Sequence, residues 1–229
     1  MKSTTPLREI TATARTGLTG SWGKSIGIIV IYMLLLAGVT NVPLAGSILQ
    51  LIFAAPLVVG LHIYFLAAVN RKPNPFSLLF EGFGRFGTSW CAYMLVLLII
   101  FACMIPFGLI APALFYFVHP DPAIFPEYTM PALFAVVVLL ASCFLIGLQM
   151  RYYFVLYIVA DDNTVRAREA VQRSAELMKG NYWRLALLWL RFTGWQILAV
   201  LTLGIGFLWM IPYLSAATAA FYLDVKDNR

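Results

Sequence analysis

The chain has 229 residues, 62% of them hydrophobic and 11% charged, with a formal net charge of +6. A water-soluble fold holds about 45–50% apolar and about 25% charged residues, because its surface must be polar. The balance excludes an ordinary soluble domain. With the cations flanking long apolar runs, it favours anionic headgroups over nucleic acid as partners.

The first segment is polar and patterned. Thr5 precedes Pro6, and Leu7, Ile10, Ala14 and Leu18 then recur at helical spacing. This predicts an amphipathic helix capped by Thr5 with Pro6 at its first position. Gly20-Ser21-Trp22 ends it: glycine allows a left-handed residue, and tryptophan marks a membrane interface. An apolar hairpin follows, with spans expected over residues 25–42 and 48–69. Pro43-Leu44-Ala45-Gly46 is read as the turn between them and not as a leader cleavage site.

A second unit opens at Asn74-Pro75, with Phe76, Leu79, Phe80 and Phe83 as its stripe, and ends at Gly87-Thr88-Ser89-Trp90. Its spans are expected over residues 90–118 and 131–160. Pro106 and Pro112 are expected to break the first of these and lay residues 107–118 along the outer surface. The aromatic stretch from Phe115 to Tyr128, which includes His119, then forms an interfacial cover.

The third unit opens at Asp161-Asp162-Asn163-Thr164. It places Ala167, Val171, Ser174, Ala175 and Met178 on one face and ends at Gly180-Asn181-Tyr182-Trp183. Spans over residues 183–201 and 206–223 follow, joined through Gly204-Ile205-Gly206 in close helix contact. Pro56 and Phe65 in the first unit recur at the same spacing as Pro212 and Phe221. The three units read as parallel repeats over residues 5–69, 74–160 and 164–223 of a single integral membrane domain.

Charge sets the orientation. Every Lys and Arg except Arg151 and Arg191 lies before the first span, between the second and third, between or beside the fourth and fifth, or after the sixth. The connections at 41–46, 119–130 and 202–205 hold none. The expected fold is therefore all-α and polytopic, with six transmembrane helices as three hairpins and amphipathic cytoplasmic helices. Those helices are expected to lie in the headgroup plane with their stripes in the acyl boundary. Both termini are then cytoplasmic.

Arg151 and Arg191 are the candidate lipid- or anion-binding residues. Counted along their helices, both lie roughly 12–15 Å from the cytoplasmic end, and no Asp or Glu occurs in any span. Either both side chains snorkel to the inner face, or the guanidiniums converge on an anionic headgroup between spans four and five. His62 and Gln149 are candidates for an intramembrane polar path. The alternative for His62 is a hydrogen bond to a neighbouring helix, and for Gln50, Gln149 and Gln196 it is interhelical contact. Cys91, Cys103 and Cys143 lie in apolar runs without paired spacing and read as packing residues.

Neither a phosphate-loop, a zinc-protease nor a serine-hydrolase motif is present. Asp161, Asp162 and Glu169 are the one acidic group that chemistry could use, and they read instead as a helix cap and a solvated face. No enzyme activity, cofactor or metal is expected.

The C-terminal third carries a distinctive set of residues. Ala170 and Ser174, Leu177-Met178-Lys179-Gly180 and Gly194-Trp195 are followed by the run Leu201 to Trp209. Pro212-Tyr213, Thr218 and Ala220-Phe221-Tyr222 complete it. With Leu18-Thr19-Gly20-Ser21-Trp22 and Ala160-Asp161, these resemble the uncharacterised bacterial integral-membrane family known as domain of unknown function 975. The resemblance covers most of the chain and implies a six-span protein of a bacterial cytoplasmic membrane, without implying a reaction. Members of that family usually carry a small polar residue where this chain has Arg191, so a role for Arg191 is particular to this chain. A more distant likeness, to membrane domains that accompany glycerophosphodiester phosphodiesterases, points to lipid headgroups by analogy. The expected function is non-enzymatic. The chain would bind anionic lipid or a membrane partner, with a homo-oligomer as one form of that partner, and affect envelope organisation; the alternative is a small transporter or channel.

Overall fold

Lipid offers no hydrogen-bond partner to an open backbone, so long apolar runs must close their own amides and carbonyls into helices. The computed structural model describes residues 3–41, 43, 45–117 and 129–228, and every regular element among them is helical. The first unit is α1 (Leu7–Leu18), α2 (Trp22–Thr40) and α3 (Gly46–Val69). The second is α4 (Leu78–Gly84), α5 (Phe86–Phe117), α6 (Thr129–Arg151) and α7 (Val155–Asp161). The third is α8 (Ala167–Met178), α9 (Tyr182–Leu201) and α10 (Phe207–Asp227). Six spans are long and apolar enough to cross a bilayer, with α6 and α7 together forming one of them.

Two spans depart from expectation. α5 runs unbroken through Pro106 and Pro112. Each proline removes one helical hydrogen bond, but in lipid a break would expose more backbone than it frees. Residues 118–128, with His119 and most of the expected aromatic cover, lie outside the described residues. The span expected over 131–160 instead breaks after Arg151 and resumes at Val155. The turn is closed by the Tyr153 amide donating to the Met150 carbonyl at 3.4 Å and the Val155 amide to Tyr152 at 3.2 Å. The Arg151 carbonyl accepts a hydrogen bond from the Ser174 hydroxyl of α8 at 3.1 Å.

The amphipathic helices exist, but the stripes of α1 and α8 turn into the protein. Ile10, Ala14 and Leu18 of α1 are fully buried in the protein, as are Ala170, Val171, Ser174, Leu177 and Met178 of α8. In the second unit Leu79 of α4 is buried, while Phe80 of α4 and Phe76 just before it are exposed. The stripes of α1 and α8 are satisfied by neighbouring helices, while the aromatic part of the second stripe stays open. Glycine closes two of these helices as expected, with Gly20 at φ 81° and Gly180 at φ 87°. Gly87 lies inside α5 and makes no such turn. The expected side-chain caps on α1 and α8 do not form.

The packing order is cyclic. α4 of the second unit packs on α3 of the first, α8 of the third packs on α7 of the second, and α1 of the first packs on α10 of the third. The closing contact is polar at its edge. The Ser3 hydroxyl donates to Asp224 at 2.6 Å, and Arg184 pairs with Asp224 at 3.4 Å while donating to the Thr5 carbonyl. At the centre, Phe154 lies 6.0 Å from Phe221, and Tyr157 stacks on Tyr222 at 5.6 Å. Phe65, Phe154 and Phe221 are all fully buried there.

Candidate functional site

A cleft of about 410 Å³ opens where α1, α2, α9 and α10 meet. Its cationic lining is Arg15 and Arg191; its aromatic lining includes Trp22, Trp195 and Trp209. Tyr213 organises it. The Tyr213 hydroxyl donates to the Thr11 carbonyl at 3.4 Å, and its ring lies 6.2 Å from Trp22 and 5.0 Å from Phe192. Phe192 is buried, which places the adjacent Arg191 at the cleft wall. Arg15 follows the buried Ala14 of the α1 stripe and so emerges at the margin of that helix.

Arg191 stands halfway along α9. Counted from the start of α9 it stands roughly 13 Å along the helix. Yet it shares a cleft with Trp22, the first residue of α2, and with Arg15 of α1. The same cleft is lined by Trp209 and Met210 near the start of α10, so it runs along the spans from the entry of α2 towards the α9–α10 turn, with Arg191 between those ends.

Neither Arg15 nor Arg191 has an acidic partner among the described residues. Three other cations are paired with acids: Arg184 with Asp224, Lys226 with Asp161, and Arg173 with Asp162 and Glu169. Arg85 donates to the carbonyls of Val159 and Ala160 at 2.7 and 2.8 Å. Two guanidiniums without carboxylates, beside indoles that bury an apolar body, suit an anionic amphiphile.

The structure brings Arg191 together with Arg15 and not with Arg151. Trp189 of α9 packs on Tyr153 at 5.2 Å, beside the end of α6. Arg191 is two residues further on, about 160° around the helix from Trp189, and so faces away from that contact. Arg151 is exposed at the break, with its guanidinium 5.9 Å from the Tyr152 ring. His62 is stacked on Tyr157 at 3.7 Å, with Nδ1 buried and unpartnered. Gln149 is exposed on α6, and Gln50 and Gln196 are exposed on their own spans, so none of the three is sunk in a helix contact. His62 is thus engaged with α7, and Gln149 lies on the exposed face of α6. The turn between α9 and α10 is the tight contact expected: a side chain on Gly206 would come within 2.7 Å of Ala199.

The acidic group is tied up locally. Asp161 accepts from Tyr222 at 2.9 Å and from Lys226 at 2.6 Å. Asp162 accepts from the Thr164 amide and hydroxyl at 2.9 and 2.6 Å. The Thr164 hydroxyl foremost, then the Thr164 amide, with Arg173 assisting, hold the Asp162 carboxyl below the usual carboxylate range. Glu169 accepts from Arg173 at 2.6 Å.

Arg15, Trp22 and Trp209 are site residues that periodicity does not single out. Arg15 reads from sequence as one of many inner-face charges. The signal that could find it is Arg191, which needs a reason to be where it is and a partner in holding an anion.

The model of a family described as "Protein of unknown function (DUF975)" matches residues 1–229, and the chain belongs to that family. No curated protein and no solved structure matches it.

Proposed function

We propose that this DUF975 chain is a non-enzymatic membrane protein that holds an anionic phospholipid in the cleft between α1, α2, α9 and α10. The observation that carries the reading is the pair Arg15 and Arg191, contributed by two helices, free of carboxylates and walled by tryptophan. The guanidiniums would take the phosphate oxygens, and Trp22, Trp195 and Met210 would cover the glycerol and upper acyl region. The cationic segments favour a bacterial cytoplasmic membrane with both termini inside. Holding lipid at that leaflet is the route by which the protein would affect envelope organisation, alone or with a membrane partner. The engagement of Asp161, Asp162 and Glu169 in local pairs supports a role without acid–base chemistry.

The test is lipid retention. Full-length protein in nanodiscs of phosphatidylcholine and phosphatidylglycerol is released and read by native mass spectrometry. Arg15→Gln with Arg191→Gln should lower retained phosphatidylglycerol about tenfold relative to phosphatidylcholine, since each charge-assisted contact is worth about 1.5–3 kcal/mol. Arg151→Ala should leave it unchanged. Equal retention by the double variant and the wild type would remove the proposal.

A further inference from the structure

A second cleft, of about 570 Å³, lies on the other side of α1. It is polar, and it joins two places far apart in sequence: the junction of α1 with α2 and the loop after α3. Lys24 enters from the first, and Arg71 and Lys72 enter from the second. Ser21 and Asn74 add polar groups between them. No acid lines the cleft, and none of its three cations has an acidic partner among the described residues. Like charges gathered without a counter-ion repel one another, so the arrangement is stabilised when an anion enters.

The cyclic packing supplies an internal control. The same position in the second unit, where α4 meets α5 beside the loop after α7, is also a cleft, lined by Glu81, Arg85 and Asn163. There the acid Glu81 is present and Arg85 is committed to the Val159 and Ala160 carbonyls. Equivalent architecture therefore does not by itself gather free cations. The first cleft differs from the second in its charge.

Arg71 adds a second, independent observation. It ends α3 at φ 55°, in the left-handed region. The Arg71 amide donates to Ala68 at 3.1 Å and the Lys72 amide to Ala67 at 2.9 Å, the hydrogen-bond pattern in which glycine is the ordinary occupant. The chain places glycine at φ 81° and 87° after α1 and α8. After α3 it places arginine, whose side chain lines the cleft; among the described residues Leu203, at φ 54°, is the other non-glycine residue in that region.

We infer that Lys24, Arg71 and Lys72 form a binding site for a phosphate group, separate from the tryptophan cleft. The phosphate belongs either to the headgroup of an anionic phospholipid or to a soluble phosphate compound, since both present the same oxygens to the same cations. The start of α2 adds the partial positive charge of a helix N-terminus.

Two variants test it in the full chain: Arg71→Gly, and Lys24→Gln with Lys72→Gln. Arg71→Gly relieves the left-handed arginine, so its thermal midpoint should be equal to or above that of the wild type, which keeps loss of binding apart from loss of fold. In phosphatidylcholine nanodiscs, inorganic pyrophosphate is titrated calorimetrically. In nanodiscs that also hold phosphatidylglycerol, retained lipid is counted by native mass spectrometry. Both variants should either weaken pyrophosphate binding about tenfold or remove one retained phosphatidylglycerol per protein while the one at the tryptophan cleft stays, and the arm that changes identifies the source of the phosphate. Arg15→Gln with Arg191→Gln should leave the responding arm of this site as in the wild type and lower only the lipid held at the tryptophan cleft. If the two variants match the wild type in both arms, or fail to weaken the same arm, the site is not there.

Discussion

Asp162 shows how a single side chain in this protein is spent. Its oxygens take the hydroxyl and amide of Thr164 and reach Arg173 at 3.3 Å. All three contacts favour the charged carboxylate, and its pKa is lowered. A lowered carboxylate contributes stability that is fully present above its ordinary titration range and is lost as pH falls through the lowered value. The side chain is 38% exposed, so solvent screens the effect and keeps it small. Thermal unfolding in detergent between about pH 7 and about pH 3 should show the wild type losing stability on the acid side. Asp162→Asn should be less stable than the wild type at neutral pH and converge with it in acid. Parallel curves for the two proteins would show that Thr164 and Arg173 do not act through this carboxylate.

At the scale of elements, the closest approach in the molecule is between α3 and α4. A Cβ on Gly60 would stand 1.8 Å from the Leu79 carbonyl oxygen, and one on Gly82 would stand 1.9 Å from that of Pro56. Both obstacles are backbone, so neither can rotate away. Small residues let helices meet at backbone distance, which in membranes replaces the hydrophobic drive that lipid removes. Gly60→Ala should therefore cost about 1–3 kcal/mol, the usual range for overpacking, and Gly82→Ala a similar amount. Gly108→Ala is the control, because nothing lies within 4 Å of its added carbon. There alanine should be neutral or stabilising, since it is the better helix former. Thermal midpoints of the three variants in one detergent decide the matter. A Gly60→Ala protein as stable as the Gly108→Ala protein would mean that α4 is not held at backbone distance.

What is legible in the sequence follows from the same local physics. The spans, the glycines after α1 and α8 and the stripes of the amphipathic helices are each written in residues close together in the chain. A stripe, however, records only that a face avoids water. Whether lipid or protein covers it depends on other helices, and that is why Ile10, Ala14 and Leu18 were expected in the acyl boundary and lie in the protein core instead. The break after Arg151 has no proline or glycine to mark it, and its freed carbonyl is answered by Ser174, 23 residues away. The meeting of Arg15 with Arg191 was equally hidden, because it exists only when α1 folds back onto α10. Arg191 stood out beside Arg151, the other intramembrane cation, whereas the residue that shares its cleft is Arg15.

For the whole molecule, the cyclic packing has a consequence that the linear chain conceals. Each amphipathic helix rests on the last span of the unit before it, and α1 rests on α10 as if the third unit preceded the first. The contact between α1 and α10 is then equivalent to the contacts of α4 with α3 and of α8 with α7, and the ring has no privileged opening. The two ends of the chain already lie together, with the Ser3 hydroxyl 2.6 Å from the Asp224 carboxylate. A permutant that begins at Asn74, joins residue 229 to residue 1 through a short Gly-Ser linker and ends at Pro73 should therefore fold. Every unit enters and leaves on the same side of the spans, so the new ends fall where the old ones were and no span need reverse. Pro73 is exposed and lies between α3 and α4, where opening the chain breaks no helix. The permutant should elute as the wild type does in size exclusion and unfold within a few degrees of it. Removing residues 1–18 should do far more harm, because it strips α1 from α10 and leaves the Arg184–Asp224 pair, each side chain 11% exposed, without its cover. If the permutant aggregates while the truncated chain stays folded, the ring is an accident of packing and α1 is an appendage.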